Sequence, residues 1–389
     1  MNNKQIPLSI PNLSLDILEN VKETIETGWV STGGRFITEF EEKVAKYVGV
    51  DRAVSCQSGT AGLHLALRVL GIMPGDEVIV PTLTFIAAVN PVRYLGAEPV
   101  FMDCDATLNM DIEKLESFLE NECKFIKGKV INRKTQRTIK AIVVVHVFGN
   151  PANMEKLMEL SEKYNLKVIE DATEALGSYF LTGKYVNQHC GTIGDIGVYS
   201  FNANKIITTG GGGMIVSHNQ ELLEKVAFLS VQAKTDSLYY IHDEIGYNYR
   251  MTNIQAAFGV DQIDRLEGFI ETKIKNYKLY KKEIGKIEGL IFLPFRLDTR
   301  ANHWFYSLVV DFKKYGMDRD QLLKKLDQQG VQTRPLWGLI HKQKPYLKNQ
   351  GYYIEKAYDY ERDLLNIPCS SNLSREDVMI VVDKLRMIK

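Results

Sequence analysis

The chain has 389 residues, of which 45% are hydrophobic and 25% charged, with 48 basic and 48 acidic side chains. Its length exceeds the usual size of one hydrophobic core, so we expect two domains or a large domain with a smaller one attached. The balanced charge gives no bias toward nucleic acid or membranes. Residues 1–16 lack the pattern of a signal peptide, and no stretch has the apolar length of a membrane span. We expect a cytoplasmic protein without nucleic-acid or membrane partners.

The cysteines are odd in number and widely scattered along the chain. They are Cys56, Cys104, Cys123, Cys190 and Cys369. They form no CxxC pair and no Cys/His cluster with the spacing of metal ligands. The expectation is therefore reduced thiols and no metal site.

Short apolar runs alternate with helical patterns through the first two-thirds of the chain, and such runs are typical of buried strands. The runs lie at residues 53–57, 77–80, 99–103, 141–149, 166–171, 196–201 and 212–217. Between them, Gly59 and Thr60 open a segment with apolar residues at helical spacing, and residues 154–164 form another amphipathic segment. The alternation predicts an α/β sheet with helices on both faces.

The pattern changes near residue 250. Residues 253–284 form a long helical stretch, and shorter strands such as residues 303–312 follow, with closing helices after them. We expect a large domain over residues 1–255, which includes the N-terminal segment, and a smaller C-terminal α+β domain over residues 256–389.

One basic segment stands apart from this pattern. Residues 124–140 hold seven Lys or Arg and no acidic residue. The pattern predicts a β-hairpin that turns at Asn132 to Gln136. A solvated basic hairpin and a phosphate-binding arm are both open as interpretations.

The first candidate catalytic segment is residues 200–215, where a strand end precedes a lysine, two threonines and four consecutive glycines. Glycines permit close backbone approach and unusual dihedral angles, so Lys205 can lie in a cleft. Desolvated lysines are the ones that form Schiff bases. A surface lysine on a flexible turn is the alternative.

An acidic residue closes one of the predicted strands. Asp171 ends the run at 166–171, and the carboxyl ends of strands in α/β sheets face the ligand crevice. A carboxylate there suits the pyridine nitrogen of pyridoxal-5′-phosphate (PLP), because it keeps that nitrogen protonated and the ring able to accept electrons. A helix N-cap is the alternative.

A phosphate site and a stacking residue complete the pattern. Ser58, Gly59 and Thr60 lie between a strand and a helix N-terminus, where backbone N–H groups, the helix dipole and two hydroxyls suit a cofactor phosphate. Helix capping alone is the other interpretation. Phe85 follows a strand, where its ring can stack on a planar cofactor or belong to the core.

The order and spacing of these features resemble the DegT/StrS-type sugar aminotransferases, a family of fold-type I PLP enzymes. The resemblance covers nearly the whole chain. It is carried by residues 28–50, 58–67, 74–85, 96–103, 146–150, 169–178, 200–215 and 246–259. It implies a mostly parallel sheet sandwiched by helices. The opening residues 6–14, the basic hairpin and the glycine run resemble the branch that makes 4-amino sugars for legionaminic-acid-type nonulosonates.

The resemblance also implies roles for single residues. Lys205 matches the Schiff-base lysine, Asp171 the partner of the pyridine nitrogen, and Phe85 the ring-stacking aromatic. Gly59, Thr60 and Ser200 match phosphate-binding positions. Ser58, which directly precedes Gly59, is grouped with them.

Further positions align with functional positions of the family, and some of them carry a different residue type here. Glu174 matches the position that approaches the ring hydroxyl, where many relatives have Gln. Asn248 matches an asparagine that reaches the cofactor phosphate of the neighbouring subunit. Gly211 lies where many relatives carry Glu, so any role of that acid is absent here.

Three further residues keep open interpretations. His146 ends a very apolar strand and is either a satisfied core histidine or a catalytic one. His341 and Arg334, in the segment at residues 333–346, line the substrate entrance or pack in a surface loop. Arg334 can also bind the carboxylate of an amino donor.

The resemblance implies transamination by a homodimer with composite active sites. L-glutamate would donate the amino group to a 4-keto-6-deoxy, N-acetylated hexose linked to UDP or GDP, and the four glycines would leave space for the hexose. Rival acceptors are 3-keto sugars and amino-acid-type keto acids. A sugar dehydratase carries histidine in place of the lysine, so Lys205 argues against it. A PLP-binding regulator is the non-enzyme alternative.

Overall fold

The computed structural model describes residues 5–236 and 238–388. The helices are α1 Ile17–Thr27, α2 Arg35–Val48, α3 Gly59–Val69, α4 Asn90–Tyr94, α5 Ile112–Asn121, α6 Met154–Tyr164, α7 Gln220–Ser230, α8 Asn253–Ile284, α9 Phe312–Tyr315, α10 Arg319–Gln328, α11 Lys356–Asp363 and α12 Arg375–Ile388. The strands are β1 Ala53–Cys56, β2 Glu77–Pro81, β3 Glu98–Met102, β4 Cys123–Ile126, β5 Lys129–Asn132, β6 Thr138–Val145, β7 Lys167–Asp171, β8 Tyr179–Phe180, β9 Ile196–Ser200, β10 Gly213–Val216, β11 Lys234–Asp236, β12 Ile241–His242, β13 Leu290–Phe292, β14 Thr299–Arg300, β15 Tyr306–Val310, β16 Arg334–Pro335, β17 Gly351–Tyr352 and β18 Leu364–Ile367.

We call the part of the molecule that is built around its large sheet the first lobe. Its strand order is β1-β10-β9-β7-β6-β2-β3-β17, and the hairpin β4–β5 is attached to β6. The neighbours from β9 to β17 pair in parallel, whereas β10 runs antiparallel to both β9 and β1. The predicted α/β fold with a mostly parallel sheet is confirmed, and each predicted strand of this lobe is present within a few residues of its expected bounds.

Burial on both faces explains the continuous apolar runs. In β2, the side chains of Val78 and Val80 lie in one core cluster, while Ile79 lies in the other. Successive side chains of a strand point to opposite faces, so a sheet covered by helices on both sides needs apolar residues at every position.

Capping residues fix the helices that border the sheet. α3 begins at Gly59 because the Ser58 hydroxyl accepts a hydrogen bond from the Ala61 amide at 3.1 Å. α8 begins with a capping box formed by Thr252 and Gln255. Both starts agree with the helical segments predicted from the sequence.

The second lobe is an antiparallel sheet with order β13-β15-β18-β16, accompanied by α9 to α12. Its elements also meet the first lobe. The Ile6 amide donates to the Gly330 carbonyl at 2.8 Å, so the N-terminal segment is bonded to the second lobe. β17 pairs with β3 and extends the large sheet. The boundary between residues 255 and 256 falls inside α8 and stays a prediction.

The basic segment forms a meander rather than one hairpin. The expected turn is present, since the Gln136 amide donates to the Asn132 carbonyl at 2.9 Å between β5 and β6. A turn at Lys127 and Gly128, which both have positive φ, joins β4 to β5 and was not predicted. The meander joins β6 at its amino end, the end opposite to its cleft-facing carboxyl terminus.

Three further observations concern metals, cysteines and membranes. Within residues 5–236 and 238–388, no group of three His, Cys, Asp or Glu side chains is placed to hold a metal ion. All of the cysteines are buried and free. None of the described helices combines the length and the apolarity that crossing a bilayer requires.

Candidate active site

A cleft opens at the carboxyl ends of the central parallel strands. Its empty space, including the open mouth, is about 1010 Å³. The predicted site residues that line it are Ser58, Gly59, Thr60, Phe85, Asp171, Glu174, Ser200 and Lys205. They come from separate parts of the sequence and meet because parallel strands present their carboxyl ends on one edge of the sheet.

Lys205 lies in a turn after β9, and its side chain reaches into the cleft. Its amide donates to the Asn202 carbonyl at 2.9 Å, which closes the turn. Its Nζ lies 3.6 Å from Glu174 Oε1 and 4.3 Å from the centre of the Trp304 ring. Its side chain is only 13% exposed, so the surface-lysine alternative is wrong.

The loop that carries Lys205 closes on Phe201. The Phe201 amide donates to the Gly212 carbonyl, and its carbonyl accepts from the Thr209 amide at 3.0 Å. Gly212 has φ +150°, and a Cβ there would lie 2.5 Å from Thr209 Oγ1. This position therefore requires glycine.

Another glycine of the run, Gly213, packs against the predicted phosphate-binding turn at Ser58 and Gly59. A Cβ on Gly213 would lie 2.8 Å from the backbone carbon and oxygen of Ser58 and 2.9 Å from the Gly59 nitrogen. None of the four glycines is among the described residues that line the cleft in the single chain, and the expectation that they leave room for a hexose stays a prediction. Of the four, Gly213 packs against backbone, and Gly212 packs against the side chains of Thr209 and Met251.

The first turn of α3 offers an anion site. Gly59 and Thr60 are its first residues, and the N–H groups of a first turn have no carbonyl acceptor within their own helix. A Cβ on Gly59 would lie 3.0 Å from Ser200 Cβ, so the absence of a side chain lets the helix terminus approach β9. These groups can hold a phosphate.

Two buried carboxyl groups face the same space. Burial raises the pKa of Asp171, against the opposing effects of its hydrogen bonds from Thr173 and the charge of Lys205. Burial raises the pKa of Glu174 to about 7, and the nearby Lys205 charge opposes that shift. Glu174 Oε2 accepts from the Phe148 amide at 2.8 Å, so its carboxyl group is fixed in place.

Aromatic rings form the wall beyond these carboxyl groups. Phe85 is 53% exposed, so it is not a core residue, and its ring lies 6.3 Å from that of Trp337. The Trp337 ring lies 5.0 Å from Phe148, which anchors it to the interior. Phe85 is therefore free to contact a planar ligand.

His146 is a satisfied core histidine. The Ala152 amide donates to its Nδ1 at 3.0 Å, which leaves Nδ1 without a proton. Its Nε2 then donates to Glu170 Oε2 at 2.9 Å. Both side chains are fully buried, and His146 does not line the cleft. The core interpretation of this residue is supported.

The remaining predicted residues lie away from the Lys205 cleft. Asn248 is exposed and bridges to Val231. His341 is held by Thr82 Oγ1 at 2.5 Å and Tyr358 OH at 2.8 Å, so in the single chain it packs between its own segments.

Arg334 lines a neighbouring compartment. That compartment has about 1010 Å³ of empty space and shares Asn204, Phe305 and Trp337 with the Lys205 cleft. Arg334 is exposed, and its Nη1 donates to the Thr333 carbonyl at 2.9 Å.

Sequence reasoning missed Trp304. Its Nε1 donates to the Asn204 carbonyl at 2.8 Å, directly before Lys205, and its ring lies against the lysine amine. The residue stands about one hundred positions after the lysine, at the start of an apolar strand pattern. A tryptophan there gives no signal of a site, because core packing explains it equally well.

The donor set of the cleft fits PLP. A buried lysine amine, two buried carboxyl groups, an exposed aromatic face and a helix N-terminus match the aldehyde, the ring atoms, the ring face and the phosphate of that cofactor. This fold and this cleft define the class of PLP-dependent aminotransferases.

Comparison with known proteins narrows the class. Residues 11–386 match the DegT/DnrJ/EryC1/StrS aminotransferase family. The chain is 36% identical over 386 residues to the GDP-perosamine synthase of Caulobacter vibrioides, covering 99% of this chain and 98% of that protein. It is 30% identical over 360 residues to the UDP-4-amino-4,6-dideoxy-N-acetyl-beta-L-altrosamine transaminase of Campylobacter jejuni, covering 92% and 90%.

A solved structure agrees with these sequence relatives. Helicobacter pylori PseC, an aminotransferase involved in the biosynthesis of pseudoaminic acid, matches with a TM-score of 0.87 at 25% identity, covering 99% of each chain. The chain belongs to the DegT/DnrJ/EryC1/StrS family of nucleotide-sugar aminotransferases, which use PLP. The expected family, enzyme class and cofactor are confirmed, and the regulator alternative is wrong.

Proposed function

We propose that the chain transfers the amino group of L-glutamate to a nucleotide-linked 4-keto-6-deoxy sugar, with PLP held in the Lys205 cleft. The observation that carries this proposal is the convergence of Lys205, Glu174 and Asp171 beside the first turn of α3. Lys205 would bind the cofactor covalently through Nζ. Ser58, Gly59, Thr60 and Ser200 would bind the phosphate, with Asn248 added from the partner subunit.

The ring of the cofactor has its own set of contacts in this proposal. Phe85 would stack on one face, Asp171 would pair with the pyridine nitrogen, and Glu174 would approach the ring hydroxyl. Bound PLP supplies an electron sink for the carbanion formed at the substrate carbon. Asp171 is suited to its role because a carboxylate in a buried site strongly favours a protonated partner.

Lys205 would also move the proton. Once its Nζ is released by the incoming amine, it would take the proton from the substrate carbon and deliver it to the C4′ carbon of the cofactor. The same group then acts in the reverse sense on the keto sugar. The cleft walls, including Trp304 and Trp337, limit the access of water to this amine.

Arg334 is our candidate for a carboxylate of L-glutamate. Arginine binds carboxylates in a bidentate manner, and Arg334 lies in the compartment that continues from the Lys205 cleft. His341, which packs against Tyr358 in the single chain, keeps only a proposed place at the substrate entrance.

The acceptor is proposed from the relatives. The Caulobacter enzyme is named for a GDP-linked product and the Campylobacter enzyme for a UDP-linked 4-amino-4,6-dideoxy-N-acetyl sugar. PseC acts in the biosynthesis of pseudoaminic acid. We propose an N-acetylated 4-keto-6-deoxyhexose on UDP or GDP, leading to a legionaminic-acid-type nonulosonate. The setting would be a cytoplasmic homodimer with composite active sites.

A glutamate-dependent assay tests this proposal. The purified enzyme is given UDP- and GDP-linked 3-keto and 4-keto sugars, together with free pyruvate and oxaloacetate, and kcat/KM is compared across the panel. A 4-keto nucleotide sugar should be the best acceptor. Preference for a 3-keto sugar would move the amination to C3, and equal or better values for free keto acids would favour the amino-acid aminotransferase alternative.

A further inference from the structure

The Lys205 amine lies between an acid and an aromatic face. On one side, Glu174 Oε1 is 3.6 Å from Nζ, and the Glu174 side chain is only 4% exposed. A carboxylate in such a buried place interacts more strongly with a cation than one in water does.

On the other side, the Trp304 ring centre is 4.3 Å from Nζ. Tryptophan is the best cation–π partner among aromatic residues, and the interaction strengthens when the pair is desolvated. Trp304 is 3% exposed, so this pair is shielded from water.

The aromatic side is held rigidly. The Trp304 ring stacks on Phe305 with 4.0 Å between centres and an interplanar angle of 6°. Its Nε1 donates to the Asn204 carbonyl at 2.8 Å. The Trp304 amide donates to Asn302 Oδ1 at 2.9 Å. These contacts fix the ring and also the backbone that immediately precedes Lys205.

The acidic side is held equally well. The Phe148 amide donates to Glu174 Oε2 at 2.8 Å, which leaves Oε1 directed to the lysine. The Glu174 carbonyl accepts from Asn302 Nδ2 at 2.8 Å. Asn302 therefore links both walls, because it bonds the backbone of Glu174 and of Trp304.

We propose that Glu174 and Trp304 form a cage that holds the free Lys205 amine in place beside the reacting carbons. In the cage both residues act through the lysine as positioning residues, and for Glu174 this role is additional to its proposed contact with the ring hydroxyl. The inference rests on the proposed function of Lys205. In each half of a transamination the lysine is released and must stay beside the reacting carbons. The cage keeps Nζ there while it carries a proton from one reacting carbon to the other.

Competitive labelling of the apoenzyme tests the cage. PLP is removed, the full chain is treated with a trace of acetic anhydride at pH 7 to 10, and acetylation of Lys205 is measured by peptide mass spectrometry. Nζ is held by the charge of Glu174 and by the Trp304 ring, so loss of either contact should free the amine to react and increase the labelling. For Glu174→Gln and Trp304→Leu we expect roughly threefold to tenfold more labelling, and for Trp304→Phe, which keeps a ring, a smaller increase. Lys278, which is exposed on α8, serves as the internal control and should not change.

The outcomes separate the two proposals. Unchanged labelling of Lys205 in Glu174→Gln and Trp304→Phe, with both variants folded by circular dichroism, overturns the cage even if Trp304→Leu does not fold. Independently, borohydride reduction of the wild-type holoenzyme fixes PLP to its lysine. Recovery of the tag on a lysine other than Lys205 rejects the proposed function without bearing on the labelling result.

Discussion

Glu170 and Asp171 are neighbours on β7, yet their side chains lie on opposite faces of the sheet. Glu170 is fully buried and accepts hydrogen bonds from His146 Nε2 at 2.9 Å and from the backbone amides of residues 191, 193 and 194. These donors hold the pKa of Glu170 below its ordinary value, although burial acts in the other direction. Asp171 lines the cleft. One strand therefore carries a structural carboxylate and a candidate catalytic one side by side.

Asp171→Asn should reduce the activity and Glu170→Gln the stability of the protein. Asp171→Asn should keep the fold but lose about 10²- to 10³-fold in kcat/KM, because an amide cannot hold the ring nitrogen protonated. Glu170→Gln brings an NH₂ group toward N–H donors, so it should lower the free energy of unfolding by roughly 1–3 kcal/mol. Urea denaturation and steady-state kinetics measure both. Near-normal rates in Asp171→Asn would show that the electron sink has been misplaced.

Lys205→Ala should abolish turnover while leaving the fold intact, because we propose that Nζ both holds PLP and moves the proton. The visible absorption band of the lysine-bound cofactor should disappear in titrations with PLP. Lys205→Arg, which keeps the charge, should be equally inactive. Retention of more than about one hundredth of the wild-type rate is a smaller loss than general acid–base catalysis carries, and it would reject the assignment of Lys205.

Gly213→Ala should weaken cofactor binding, since its Cβ would lie 2.8 Å from the Ser58 backbone behind the phosphate site. Overpacking of this kind costs roughly 1–3 kcal/mol, so we expect about tenfold weaker PLP binding in fluorescence titrations. Gly268→Ala is the matched control. A Cβ there meets nothing within 4 Å inside α8, so that variant should gain about 0.5–1 kcal/mol in stability and bind PLP normally. Equal affinities in the two variants would contradict the packing role of Gly213.

Glu174 should make the stability of the apoenzyme depend on pH. Burial raises its pKa from 4.5 to about 7. Between these values the unfolded chain has lost the proton and the folded chain still holds it, so stability falls as the pH rises through this window. Glu174→Gln removes this titration. Its unfolding free energy relative to wild type should therefore increase from pH 4.5 to 7, by on the order of 3 kcal/mol, and then level off. A pH-independent difference would show that Glu174 does not titrate there.

Composite active sites should appear as complementation between two inactive chains. Lys205→Ala and Asn248→Ala are mixed, and each hybrid dimer then contains one site with both native residues. Random assortment should return about a quarter of the wild-type sites, because half of the dimers are hybrids with one native site each. Activity is measured before and after subunit exchange. A monomer that is active in sedimentation at assay concentration would rule out the shared site.

The sequence predicted the α/β fold because continuous apolar runs such as residues 77–80 require burial on both faces of a sheet. It predicted the β5–β6 turn of the basic segment but not the turn at Lys127 and Gly128, because an isolated glycine inside a strand pattern indicates a bulge as readily as a turn. The division into lobes was harder to foresee. The bond from Ile6 to Gly330 joins distant parts of the chain, and no local pattern encodes such a contact.

By itself, the sequence indicated the candidate site residues, because Lys205 and the Ser58–Thr60 turn follow strands and Asp171 ends one. Only the tertiary structure decided which groups surround the lysine amine. Glu174 and Trp304 reach Lys205 from different elements, and their distances to Nζ depend on how the lobes pack. It also decided that Gly213 packs against the Ser58 backbone, because β10 pairs with β1. Local sequence patterns predict where strands end. The burial of side chains and the distances between them depend on how segments far apart in the chain pack together.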